Sequence, residues 1–144
     1  MTGELSDRLR AILEALPLRP GLRVLEIGCG PGALARAMAA RIGGGHVLAI
    51  DRSARAIAQA VAGSKAEIAA GWLSFRQAAA EAFVLERGEI PYDLAVAIRV
   101  GALDGRHPAA GEKVRLRLAA ALTPQGRLFI DGGDPLREVR LDSA

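Results

Sequence analysis

The chain of 144 residues has little cysteine, few aromatics and almost no lysine. A single cysteine, Cys29, excludes a disulfide framework. Only two histidines, His46 and His107, accompany it, so no Cys/His set with metal-ligand spacing exists. No apolar run approaches the ~20 residues that span a bilayer. Glu4, Asp7, Arg8 and Arg10 interrupt the N-terminal stretch, where a secretion signal would be continuously apolar. The expected compartment is therefore the cytoplasm. Aromatics make up 3% of the chain, and Trp72, Phe75, Phe83, Tyr92 and Phe129 lie mostly in or beside strand-like segments. They are expected in the core and are too few for a base-stacking surface. The net charge of +3 is carried by arginines spread along the chain, with Lys65 and Lys113 the only lysines. Solvated helix faces account for that pattern, so a nucleic-acid partner is not expected.

What the sequence does have is a 51% hydrophobic content, enough for a core in a single domain of this length. Leu5, Leu9, Ile12, Leu13 and Leu16 recur at helical spacing, predicting an amphipathic helix over 4–16 capped by Ser6 or Thr2 and ended by Pro17 and Pro20. An alternation follows. Apolar runs at 22–27, 46–50, 73–76, 92–98 and 125–130 read as strands. Between them lie helical stretches to about 42, from Ser53 toward 70, at 79–87 and at 109–122. Strands alternating with helices make parallel βαβ units, hence an α/β fold with a doubly wound, mostly parallel sheet of five core strands.

Ligands of such sheets sit at the carboxyl ends of the strands. The first strand ends in Leu25-Glu26-Ile27-Gly28-Cys29-Gly30-Pro31-Gly32. Its glycine spacing is G-x-G-x-G, not the G-x-G-x-x-G of dinucleotide sites, which disfavours a nicotinamide enzyme. Glu26 would repel a pyrophosphate and suits a ligand carrying an ammonium or sulfonium charge. Asp51 ends the second strand about 20 residues later, where a carboxylate accepts hydrogen bonds from ribose hydroxyls. Its alternative task, capping the next helix, can fall to Ser53. Cys29 has no partner for catalysis and reads as a small structural residue.

VLEIGCGPG (24–32) followed by VLAIDRS (47–53) resembles the first two motifs of the class I S-adenosylmethionine-dependent methyltransferases. The resemblance covers about 22–132 and implies a Rossmann-like methyltransferase fold, divided into an N-terminal helix (1–20), a cofactor-binding core (21–132) and a short tail (133–144). It implies that S-adenosylmethionine is bound by Glu26, Gly28, Cys29, Gly30 and Gly32, with Asp51 on the ribose and Arg52 flanking the adenine. The family's acidic residue near the adenine amine would fall on Ala79, unless Glu81 or Gln77 substitutes; backbone groups of Ala79 and Ala80 remain to bond the ring. Arg99 and Val100 would lie beside the methionine end. The D/N-P-P-Y motif of amino methyltransferases is absent, which leaves a small-molecule acceptor, at oxygen or carbon. Asp104, Arg106 and His107 cluster after the fourth strand, and His107 is the candidate base; their other reading is an ordinary loop before a helix. Asp131 and Asp134 either face the acceptor or turn the chain. The family's terminal antiparallel hairpin is missing or reduced to REVRL, so the fifth strand is expected as an open edge, with homodimerisation across it. The alternative function is a non-catalytic module of this fold.

Overall fold

The computed structural model describes residues 5–103 and 105–141. Helix α1 (Asp7–Ala15) starts at Ser6, whose Oγ accepts the Leu9 N–H at 3.2 Å. Thr2, the other candidate cap, lies outside the described residues. Strand β1 (Arg23–Ile27) leads into α2 (Ala33–Ala39), and β2 (His46–Asp51) into α3 (Ala54–Ala62) and α4 (Lys65–Ala69). Strand β3 (Leu73–Gln77) is followed by a single 3₁₀ turn, Ala80–Ala82. Then come β4 (Tyr92–Ala97), α5 (Pro108–Ala121), β5 (Leu122–Asp131) and β6 (Leu136–Val139).

The strand order is β3-β2-β1-β4-β5-β6, parallel except for the β5–β6 pair. Chain direction across the sheet reverses between β1 and β4, which opens a crevice beside their carboxyl ends. The register brings those ends level: Ile27 pairs with Ile50 and with Ala97, and Ala97 with Ile130. Side chains alternate across the sheet. Val24, Val47 and Val96 face α1 and α2, with Ile12, Leu34 and Met38. Leu25, Leu48 and Ala95 face α5, with Val114 and Leu118. Burial on both faces explains why the strands read as near-continuous apolar runs. Among the described residues no helix is long and apolar enough to cross a membrane.

Four expectations need correction. The helix expected from Ser53 to 70 breaks at Gly63 and Ser64, where the buried Ser64 Oγ accepts Arg36 Nη1 at 3.0 Å. The helix expected over 79–87 is only the 3₁₀ turn, because Glu86 and Glu89 are drawn to Arg76 on β3. Trp72 is 45% exposed, at the start of the edge strand β3. Finally, β5 is not an open edge over its second half: Leu128 pairs with Val139 and Asp131 with Leu136. The outer position passes to β6, and a dimer across an open β5 edge loses its basis there.

Candidate functional site

The glycine turn is sewn to the end of β2. Gly28 N and Cys29 N both donate to Ile50 O, at 2.9 and 3.0 Å, and Gly30 N donates to Asp51 Oδ2 at 2.9 Å. The other Asp51 oxygen, Oδ1, accepts Ser53 N at 2.9 Å, while Ser53 Oγ caps α3 through Ala56 N at 3.1 Å. Asp51 therefore fixes two turns at once, and Ser53 takes over the cap. Gly28 sits at φ +72, and a Cβ there would lie 3.1 Å from Val100 Cγ2, so the missing side chain lets the end of β4 close on the turn. Gly30, at φ +53, has nothing within 4 Å of its would-be Cβ; its free side opens outward.

A cleft of about 480 Å³ lies at this end of the sheet. Its wall brings together Gly28, Asp51, Arg52, Ala80, Arg99, Val100 and His107, seven of the residues singled out in the sequence. Glu26 and Cys29 are buried, and Gly30, Gly32 and Ala79 are not part of the wall. Arg52 reaches across to Glu81, with Nη2 at 2.8 and 3.1 Å from the two carboxylate oxygens. Gln77 Nε2 donates to Arg52 O at 3.2 Å. Both acids or amides named as substitutes for Ala79 are thus engaged with Arg52. The sequence reading passed over Gly101: a Cβ there would lie 2.9 Å from Arg106 Nη2 and 3.4 Å from His107 Cδ2. A glycine in the loop before α5 was the available signal.

Arg99 has φ +60, the sole non-glycine with positive φ among the described residues. Its N–H donates to Asp131 Oδ1 at 3.1 Å, and Asp131 Oδ2 accepts Arg8 of α1. Asp131 therefore tethers the chain, and Asp134 lies exposed in the turn before β6. His107 is the N-cap residue of α5 but makes no side-chain cap bond, which leaves its imidazole on the cleft wall. Asp104 lies outside the described residues.

Burial dominates the electrostatics beneath the turn. Glu26 is pushed up from its ordinary 4.5 to about 8, by burial first and the charge of Asp51 second. Burial, then the Glu26 and Asp51 charges, push the Cys29 thiol up to about 12, so it is no nucleophile.

A family profile described as methyltransferase domain matches residues 24–126, from the start of the glycine-turn motif into β5. The chain belongs to this methyltransferase family. It is 33% identical over 132 residues to the nocamycin O-methyltransferase of Saccharothrix syringae, covering 91% of this chain and 45% of that one. It is 39% identical over 124 residues to a protein-L-isoaspartate O-methyltransferase of Methylorubrum extorquens, covering 86% and 47%. Among solved structures, a SAM-dependent methyltransferase of Thiobacillus denitrificans in complex with S-adenosyl-L-homocysteine shares the fold with a TM-score of 0.67 at 24% identity, over 90% of this chain and 49% of that one. The chain thus spans about half the length of the relatives it matches.

Proposed function

We propose that the cleft binds S-adenosylmethionine and that the chain transfers its methyl group to an oxygen of a small-molecule acceptor. The observation that carries this reading is Asp51, a carboxylate on the cleft wall already held in place by Gly30 N and Ser53 N. Each carboxylate oxygen keeps a second lone pair, so Asp51 can take two ribose hydroxyls without giving up either turn. The residues fit the cofactor on two further counts. The free side of Gly30 leaves room for a ligand against the turn, and the buried Glu26 Oε1 lacks a partner that a cationic ligand would supply. Both named relatives are O-methyltransferases, which supports oxygen as the acceptor atom.

Bound S-adenosylmethionine supplies an activated methyl group on a sulfonium. The chain's own residues then have to bind, orient and exclude water. Asp51 holds the ribose, Arg52 stays clamped by Glu81 at the adenine end, and Ala80, which lines the cleft where Ala79 does not, presents backbone to the ring. Ile27, Ile50, Val100 and Val114 make the cleft floor apolar. Gly28, Cys29, Gly30 and Gly32 shape the turn, and Arg99 with Val100 bounds the methionine end. His107 stands where it can take the proton of an acceptor hydroxyl. The cytoplasmic setting rests on the sequence alone. A second reading, a cofactor-binding module without turnover, draws support from Asp131, a nominated acceptor-side acid that is committed to Arg99 and Arg8.

Calorimetric titration with S-adenosylmethionine and S-adenosylhomocysteine tests the site. Micromolar binding of both is expected. Asp51→Ala should weaken it by about 1.5–3 kcal/mol, the worth of hydrogen bonds to a charged group. Unchanged affinity in the variant would remove the ribose role. Binding without methyl transfer to any acceptor would favour the module.

A further inference from the structure

The corner after β4 is strained around one arginine. Arg99 has φ +60, and every other described residue with positive φ is a glycine. A side chain makes that backbone unfavourable, and such strain persists only where the surrounding structure holds it, most often at functional sites. Asp131 holds it here, by accepting the Arg99 N–H at 3.1 Å. The negative charge of Asp131 is ion-paired to Arg8 of α1. The fold thus fixes the Arg99 backbone and leaves its guanidinium exposed on the cleft wall, with no ion pair among the described residues. The other charges of the wall are matched: Arg52 by Glu81, and Asp51 by the N–H groups of Gly30 and Ser53. Arg106 packs against Gly101 off the wall and has an interaction of its own. Val100, Ala102 and Ala110 make the rest of this end apolar, beside the His107 imidazole, which can donate a hydrogen bond in either protonation state.

We propose that Arg99 makes this end of the cleft select a methyl acceptor that carries a carboxylate on an apolar body. The proposal rests on the cofactor reading above and gives the acceptor a chemical class. One unmatched positive charge suits one negative charge, whereas a phosphate dianion calls for a second cation. The planar guanidinium can offer two parallel N–H groups to the two oxygens of a carboxylate. An amide of the same shape brings one oxygen and no charge, so it gains far less. Val100 and Ala102 receive the apolar body. S-adenosylmethionine has a carboxylate of its own, and the test separates it from that of the acceptor.

Benzoate and phenylacetate, each beside its amide, are titrated by calorimetry into protein saturated with S-adenosylhomocysteine, so that the cofactor's carboxylate is already in place. Both acids should bind about tenfold or more tightly than benzamide and phenylacetamide, the worth of a charge-assisted pair. Arg99→Gln, also saturated, should lose that preference, and Arg99→Lys should keep part of it. Arg99→Gly should lose it as well, and it guards against misfolding, because glycine adopts φ +60 without strain. Equal affinity for acid and amide, no binding of the acids, or an undiminished preference in Arg99→Gln and Arg99→Gly would overturn the proposal. So would a loss confined to the cofactor. In that case Arg99→Gln weakens S-adenosylhomocysteine but not 5′-methylthioadenosine, which lacks the amino-acid end, and leaves benzoate alone. Failure of S-adenosylhomocysteine to bind the wild-type protein is a different result, since it overturns the site reading itself.

Discussion

A Cβ on Gly32 would stand 3.1 Å from both Arg36 Nη1 and Phe75 Cζ and 3.2 Å from Ala60 Cβ, at a φ of +91. Gly30 shares the left-handed backbone but has an empty surround. Gly32→Ala should therefore lose more stability than Gly30→Ala, which carries only the left-handed penalty of about 1–2 kcal/mol. Gly30→Ala should instead weaken S-adenosylhomocysteine binding; thermal melts and calorimetry separate the two. Glu26 gives a second prediction. Its folded pKa of about 8 lies above the ordinary 4.5. Between those values the unfolded chain has lost a proton that the folded chain keeps, so Glu26 lowers stability as pH rises through that window. Glu26→Gln should thus gain on the wild-type protein between pH 5 and pH 8 in denaturant melts, by no more than about 4–5 kcal/mol for a shift of this size. A constant difference across that range would mean that Glu26 does not titrate there. The positions of Glu26 and Asp51 were legible in the sequence because each sits at a strand end beside a glycine turn or a cap. The isolation of Glu26 was not legible, since it depends on what three other elements fail to supply.

At the scale of elements, the segment after the 3₁₀ turn shows tertiary contacts overriding local preference. Residues 79–87 have helical composition, yet Glu89 accepts from Arg76 at 3.1 and 3.2 Å, from the Tyr92 hydroxyl and from Glu86 N at 2.7 Å. Arg76 belongs to β3 and Tyr92 to β4, so the knot ties two strand ends together through the loop. It also lays the Arg76 guanidinium 5.6 Å from the centre of the buried Phe83 ring. No periodicity within 79–87 could announce partners that lie outside it. The strands, by contrast, were nearly all placed to within a residue or two, because burial on both faces writes them as apolar runs; β5 starts three residues earlier, at Leu122, where residues 123–126 loop out between the pairs Tyr92–Leu122 and Leu94–Arg127. Burial works against ionising Glu89, but the hydrogen bonds from Arg76 and Tyr92 outweigh it and hold its pKa below the ordinary 4.5. Its contribution is therefore present above pH 4.5 and fades as pH falls through the lowered value. Glu89→Gln should cost about 2 kcal/mol at pH 7, as expected for hydrogen bonds to a charged group. Urea titrations should show that cost shrinking in acid; an equal cost at pH 3 would assign the effect to packing instead.

Taken as a whole, the molecule is a parallel sheet finished by one antiparallel strand. The first five strands and their order follow from right-handed βαβ units. The sixth showed in the sequence only as the reduced hairpin remnant REVRL, because Leu136–Val139 is four residues long and has polar, exposed residues at its centre. Those same features suit a strand that ends a sheet: short, with charged Arg137 and Glu138 exposed. Glu138 is further held by Arg127 of β5, at 2.8 and 3.2 Å, though so exposed a pair adds little stability. The work of β6 is thus to cover the backbone groups of Leu128–Asp131, a segment of equal length and more apolar than itself. Ending the chain after Gly133 should uncover that segment and let it pair with a second copy. Sedimentation should then show a mass that grows with concentration in the shortened chain beyond any growth in the intact one. If both sediment alike at every concentration, β6 guards nothing, and the edge of β5 must be kept apart by its own twist and by Arg127.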